Sequence, residues 1–198
     1  MLALLAICAV LQEVKRRELM ARIKNGESSI TVSGSDEFKE KAYASLEKLS
    51  KTPTGLGLLL ELEKTGKSVE IVETAGGNSE NPASMADGTY DRVNDQPGPG
   101  TTSVVKFNPE KKQIKDGSEG WHNRDPAVAL GHELIHSLHD ANGTNDGRNP
   151  LPYEDLNGDN RTAPGYEHQA VGLGDYEDDP FTENKIREEM GEEKRPFY

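Results

Sequence analysis

Gly131-His132-Glu133-Leu134-Ile135-His136 reads His-Glu-x-x-His, and the chain on either side of it reads as a helix. Asp125-Pro126 has the form of an N-cap followed by proline in the first turn. Gly143 supplies a stop. Ala127, Leu130, Leu134, Ile135 and Leu138 project onto one arc of such a helix, and His132, His136 and His139 onto another. One face therefore packs into a core and the other opens to a cleft. Residues four apart share a helix face, so His132 and His136 can offer two imidazole nitrogens to one zinc at about 2.0–2.1 Å. Glu133, rotated from them by about 100°, can take a proton from a water held by that metal. The pattern points to a zinc peptidase. The plainer alternative is an amphipathic helix that carries two ordinary histidines. His139 lies about 10 Å further along the axis than His132, so packing or support of a neighbour suits it better than ligation.

Two histidines leave a catalytic zinc one protein ligand short. Three later residues qualify. Glu167 ranks first, in the short helical segment Pro164 to Gly172, where a second helix could cross the metal face of the first. Asp146 ranks second: Gly143-Thr144-Asn145-Asp146 begins like the Gly-Thr-x-Asp signature of deuterolysin-type peptidases, but Gly147-Arg148 stands where Tyr-Gly should follow. His168 would give a three-histidine site, without the spacing that metzincins use. Asp155 to Asn160 imitates the front of a calcium loop but lacks its glycine and its closing glutamate, and reads as a polar turn.

The remaining chain supplies helices and short strands. The apolar run Met1 to Leu11 is too short to span a bilayer. Its basic residues follow it rather than precede it, unlike a signal peptide. A packed helix over about 2–24 is the better reading. Ser29 to Val32 alternates like a strand, 37–50 is an amphipathic helix with Phe38, Ala42, Leu46 and Leu49 on one side, and Thr52-Pro53 opens another helix. Ser68 to Val72 and Thr102 to Phe107 read as strands, the latter bordering the cleft and open to pairing with an extended substrate. Ala75 to Gly100 shows no period and reads as a long loop, with a short strand near Thr89-Tyr90. Gly98-Pro99-Gly100 is turn chemistry.

Composition sets the outer limits. The chain has 198 residues, 33% of them apolar, and a net charge of -12. The acidity disfavours nucleic acid and anionic membranes as partners. The single cysteine, Cys8, excludes an internal disulfide and a Cys-x-x-Cys zinc knuckle.

The His132-Glu133-Leu134-Ile135-His136 motif, paired with Tyr166-Glu167 and Val171-Gly172, resembles the NleD-type effector metallopeptidases. The ending Thr182-Glu183-Asn184…Ile186-Arg187…Gly191…Arg195…Tyr198 is similar to that family's close, and Thr54-Gly55-Leu56…Leu59-Leu60…Leu62 is similar upstream. The resemblance spans residues 50–198. It implies a zincin-like α+β fold over 51–198: a small mixed sheet packed on the motif helix, with a helical C-terminal part. Residues 1–50 then form an extension of helix and strand. It further implies zinc on His132, His136 and Glu167, with Glu133 as general base. Tyr166, His168, Arg187 and Tyr198 are candidate donors to the oxyanion, the two tyrosines being favoured. The implied role is a bacterial protease secreted or translocated into a target cell without a recognisable signal peptide; the other placement is cytoplasmic. Its partners would be a protein or peptide substrate and a secretion system or chaperone. Another zinc hydrolase on the same ligands, an amidase or deacetylase, and a non-catalytic binding protein are the rival functions.

Overall fold

The computed structural model describes residues 2–114, 119–148, 150–155 and 157–198, with side chains from residue 10 onward. Met1, the side chains of the apolar run as far as Ala9, Cys8 included, and Leu156 in the calcium-like turn lie outside the described residues. The elements are α1 (Leu2–Asn25), β1 (Ile30–Ser33), α2 (Asp36–Leu49), α3 (Pro53–Thr65), β2 (Val69–Glu73), β3 (Ser79–Pro82), α4 (Met85–Gly88), β4 (Ser103–Phe107), α5 (Pro126–Asn142), β5 (Leu151–Glu154), β6 (Asn160–Ala163), α6 (Gly165–Val171) and α7 (Glu183–Met190).

Local chemistry sets most of these boundaries. Ser35 and Thr52 cap α2 and α3 by accepting from the amides of Phe38 and Gly55. Asp125 accepts from Ala127 at the start of α5, and Gly143 ends it in the left-handed region at φ 66°. A side chain at Gly143 would strike the Gly98 backbone, whose amide donates to the Gly143 carbonyl at 2.8 Å. The Gly-Pro-Gly turn is thus a close-packed buttress against the end of α5.

β1, β2 and β4 pair in parallel, and β3 closes the sheet antiparallel to β4, giving the order β1-β2-β4-β3. Ile30, Val32, Val69, Ile71, Val105 and Phe107 turn one sheet face into the core. Phe38, Leu46, Leu49, Leu58, Leu59 and Leu62 of α2 and α3 pack into the same core with Leu130, Leu134 and Ile135 of α5. Each such side chain contributes about 1.5–3 kcal/mol on burial. The boundary drawn at residue 50 runs between α2 and α3, and both helices contact α5. α1 joins through Leu19, Met20 and Ile23 and through ion pairs of Arg16 and Lys24 with Glu47. Among the described residues no helix is long and apolar enough to cross a membrane.

Two expectations need correction. Residues 75–100 are not structureless: they hold β3 and α4, while Thr89 makes only an isolated bridge to Asn145. Ser79-Glu80-Asn81-Pro82 has no apolar alternation and so carries no strand signal of its own. Its strand form comes from pairing with β4, and Pro82 is tolerated at the end of an edge strand. In consequence β4 is interior, and β3 is the strand that borders the cleft.

Candidate metal centre and its cleft

α5 lies at the middle of the molecule, buried on almost every side, and brings His132 and His136 to one end of a cleft of about 410 Å³. α6 contacts α5 and carries Glu167. The His132 and His136 Nε2 atoms are 3.2 Å apart. Glu167 Oε2 is 3.2 Å from the first and 3.5 Å from the second. Donors about 2.05 Å from a tetrahedral zinc would stand about 3.3 Å from one another. The three spacings fit that ion. Glu167 Oε2 is buried without a hydrogen-bond donor among the described residues, an arrangement a cation relieves.

Glu183, the first residue of α7, is fully buried, and its Oε2 lies 2.8 Å from His132 Nδ1. The contact favours a proton on Nδ1 and turns the Nε2 lone pair to the centre. Burial opposes charge on His132, but Glu167 and Glu183 outweigh it and push the pKa up to about 9. Burial would likewise raise Glu167, yet the two imidazoles reverse this and hold its carboxyl well below the ordinary range. The pocket is built to surround positive charge.

Glu133, Tyr166, Arg124, Arg195 and Tyr198 line the cleft beside the donors. The Tyr166 ring meets His136 edge-on at 5.6 Å. Tyr198 has its hydroxyl within hydrogen-bonding reach of Glu167, under an Arg195 guanidinium 4.5 Å from its ring centre. Burial, then the Glu167 charge, raise its pKa, so the phenol stays protonated.

The other candidates lie elsewhere. Asp146 is locked by Arg148 and Arg92 and accepts from the Tyr176 hydroxyl. His168 faces the Tyr153 ring at 6.0 Å. His139 Nδ1 meets Thr144 Oγ1 at 3.0 Å, a packing position, and burial lowers its pKa to about 4. Arg187 is fully buried and spends its donors on Glu183 and on the carbonyls of Trp121 and Glu193. It is correspondingly withdrawn as an oxyanion donor. Asp155 accepts from the amides of Asn157 and Asp159, a polar turn between β5 and β6. Glu183, Arg124 and Arg195 carried no assigned role in the sequence. The i,i+4 pairing of Glu183 with Arg187 was the one local signal, and it reveals nothing of His132.

A model of the M91 peptidase family, described as effector protein, matches residues 26–198. The chain belongs to the M91 peptidase family. This is an effector peptidase family, as the NleD-type resemblance implied. No curated protein sequence matches the chain. Among solved structures, this M91 peptidase is similar to the light chain of Clostridium botulinum neurotoxin serotype F, with a TM-score of 0.54 and 17% identity over 70% of this chain and 44% of that one. It is also similar to the botulinum neurotoxin serotype HA light chain, with a TM-score of 0.52 and 18% identity over 78% of this chain and 48% of that one. The M91 chain thus spans less than half the length of those relatives, and at such identity the likeness is one of fold. That fold is zincin-like, with its mixed sheet packed on the motif helix. The chain thus belongs to a peptidase family and carries a donor set that suits zinc.

Proposed function

We propose that this peptidase is an endopeptidase delivered into a target cell, where it cuts a protein of that cell. The observation that carries the reading is the convergence of His132, His136 and Glu167 at tetrahedral spacing, with Glu133 beside them on an open cleft. Zinc held by those three residues would supply Lewis acidity to the scissile carbonyl and to the attacking water.

The chain's own groups do the rest. Glu133 accepts one proton as the water oxygen attacks the carbonyl carbon. It then passes that proton to the amine nitrogen as the C–N bond breaks. Tyr198, kept protonated, donates to the oxyanion, with Tyr166 as the second donor on the cleft wall. Glu183 holds the His132 ring in place. β3 borders the cleft as an edge strand, and an extended substrate segment can pair with its free backbone groups. The effector family supports delivery into another cell, by a secretion system and with a chaperone as the proposed partners.

The test is a proteome-wide search for new peptide ends in a target-cell lysate. Zinc-loaded wild type should generate a small, reproducible set that Glu133→Gln does not. Identical sets from the two proteins would overturn the reading.

A further inference from the structure

The chain is strongly acidic, yet Lys111, Arg124 and Arg195 are among the residues that line the cleft. Arg124 differs from the other buried arginines. Arg187 meets Glu183 Oε1 at 2.7 Å and takes three backbone carbonyls. Arg195 donates from Nε to the Phe197 carbonyl and covers Tyr198. The Arg124 side chain is 9% exposed, and its Nε is buried with no hydrogen-bond partner among the described residues. Its nearest carboxylate oxygen, Glu183 Oε2, is 3.9 Å away and already faces His132 Nδ1 at 2.8 Å. The guanidinium is thus buried at the cleft with its Nε–H unspent and one long ion pair, to Glu183, among the described residues.

Its backbone is fixed. The Arg124 amide donates to the Lys112 carbonyl at 2.8 Å, and the next amide, of Asp125, donates to Glu192 at 2.9 Å. The root of the side chain is therefore fixed, and its low exposure shows that the fold encloses the rest. A buried guanidinium with an unsatisfied N–H and only one long, shared ion pair is poorly compensated, and a bidentate carboxylate is the partner that relieves it best.

Resting on the peptidase reading above, we infer that Arg124 is a specificity-determining residue that receives a substrate carboxylate next to the scissile bond. The carboxylate comes from an Asp or Glu side chain or from the end of the substrate chain. Either source makes the same bidentate contact.

The experiment uses the zinc-loaded full chain and peptides that differ only by Glu or Gln beside the cut, each with a free or an amidated C-terminus. Wild type should prefer the Glu peptide on the order of 10- to 100-fold in kcat/KM, through KM. A similar preference for free over amidated C-termini, shown by the Glu and Gln peptides alike, assigns the carboxylate to the chain end and equally supports the inference. Arg124→Gln should bring the ratio towards one, and Arg124→Lys should keep part of it. Zinc content and Tm of both variants check the fold. Ratios near one in wild type for both comparisons, Glu against Gln and free against amidated, or ratios unaltered in Arg124→Gln, overturn the inference alone. No cleavage of any peptide by the wild type overturns the peptidase reading and this inference together.

Discussion

The Glu80 carboxyl on β3 and the Asp140 carboxyl on α5 face one another within hydrogen-bonding reach, and each keeps a buried oxygen with no donor among the described residues. Two like charges so placed cannot both persist, and one proton serves the pair. The pair ties the cleft's edge strand to the helix that carries the metal ligands. Glu133 and His136 lie on the same helix, and the Ser103 hydroxyl of β4 is within hydrogen-bonding reach of Glu80.

Burial, then the Asp140 charge, push Glu80 up to about 9 from its ordinary 4.5. Between those values the native state keeps a proton that the unfolded chain has lost. Stability from this pair is therefore full below the lower value and falls as pH rises towards the upper one. Glu80→Gln should flatten that decline. Denaturant midpoints measured from about pH 5 to about pH 9 would check it, and a wild-type slope in the variant would remove the shared proton from the account.

Glu133→Gln should bind zinc stoichiometrically and lose on the order of 10²- to 10⁴-fold in kcat. The side chain lines the cleft but is not among the three converging donors, so metal content and activity should separate. Metal analysis alongside peptide cleavage decides. Loss of zinc in this variant would mean that Glu133 holds the ion.

Glu183→Gln keeps the shape beside His132 and removes the charge that orients the ring. Zinc affinity should fall about 10- to 100-fold, read by competition with a coloured chelator. The same change leaves Arg187 without its carboxylate, so Tm should fall as well. Unaltered affinity would reduce Glu183 to a partner of the arginines.

Asp146→Asn separates structural from metal-binding carboxylates. Its side chain is 2% exposed and ties Arg92 and Arg148 together. Loss of that charge should cost about 1–3 kcal/mol in chemical denaturation and leave zinc stoichiometry untouched. Glu167→Ala should do the reverse: removal of zinc by a chelator should lower the Tm of wild type and leave that of the variant nearly unchanged. Zinc loss in Asp146→Asn with an intact fold would reinstate Asp146 as a ligand.

Short-range order was legible in the residues themselves. The N-caps at Ser35, Thr52 and Asp125, the stop at Gly143 and the two-faced pattern of α5 act within a few residues, and they fixed the helices and the His132–His136 pair. Three matters waited on tertiary contact. Glu167 ranked ahead of Asp146 and His168 in one dimension, but only the contact of α6 with α5 brings its carboxylate to the imidazoles while arginines hold Asp146. Ser79 to Pro82 has no strand pattern of its own and becomes one by pairing with β4. Arg124 and Arg187 look alike as residues and both reach Glu183 once folded, but Arg187 also donates to three backbone carbonyls while Arg124 keeps an unpartnered Nε among the described residues at the cleft. Capping and periodicity depend on neighbours along the chain. The direction in which a charged side chain can be satisfied depends on what the fold packs around it.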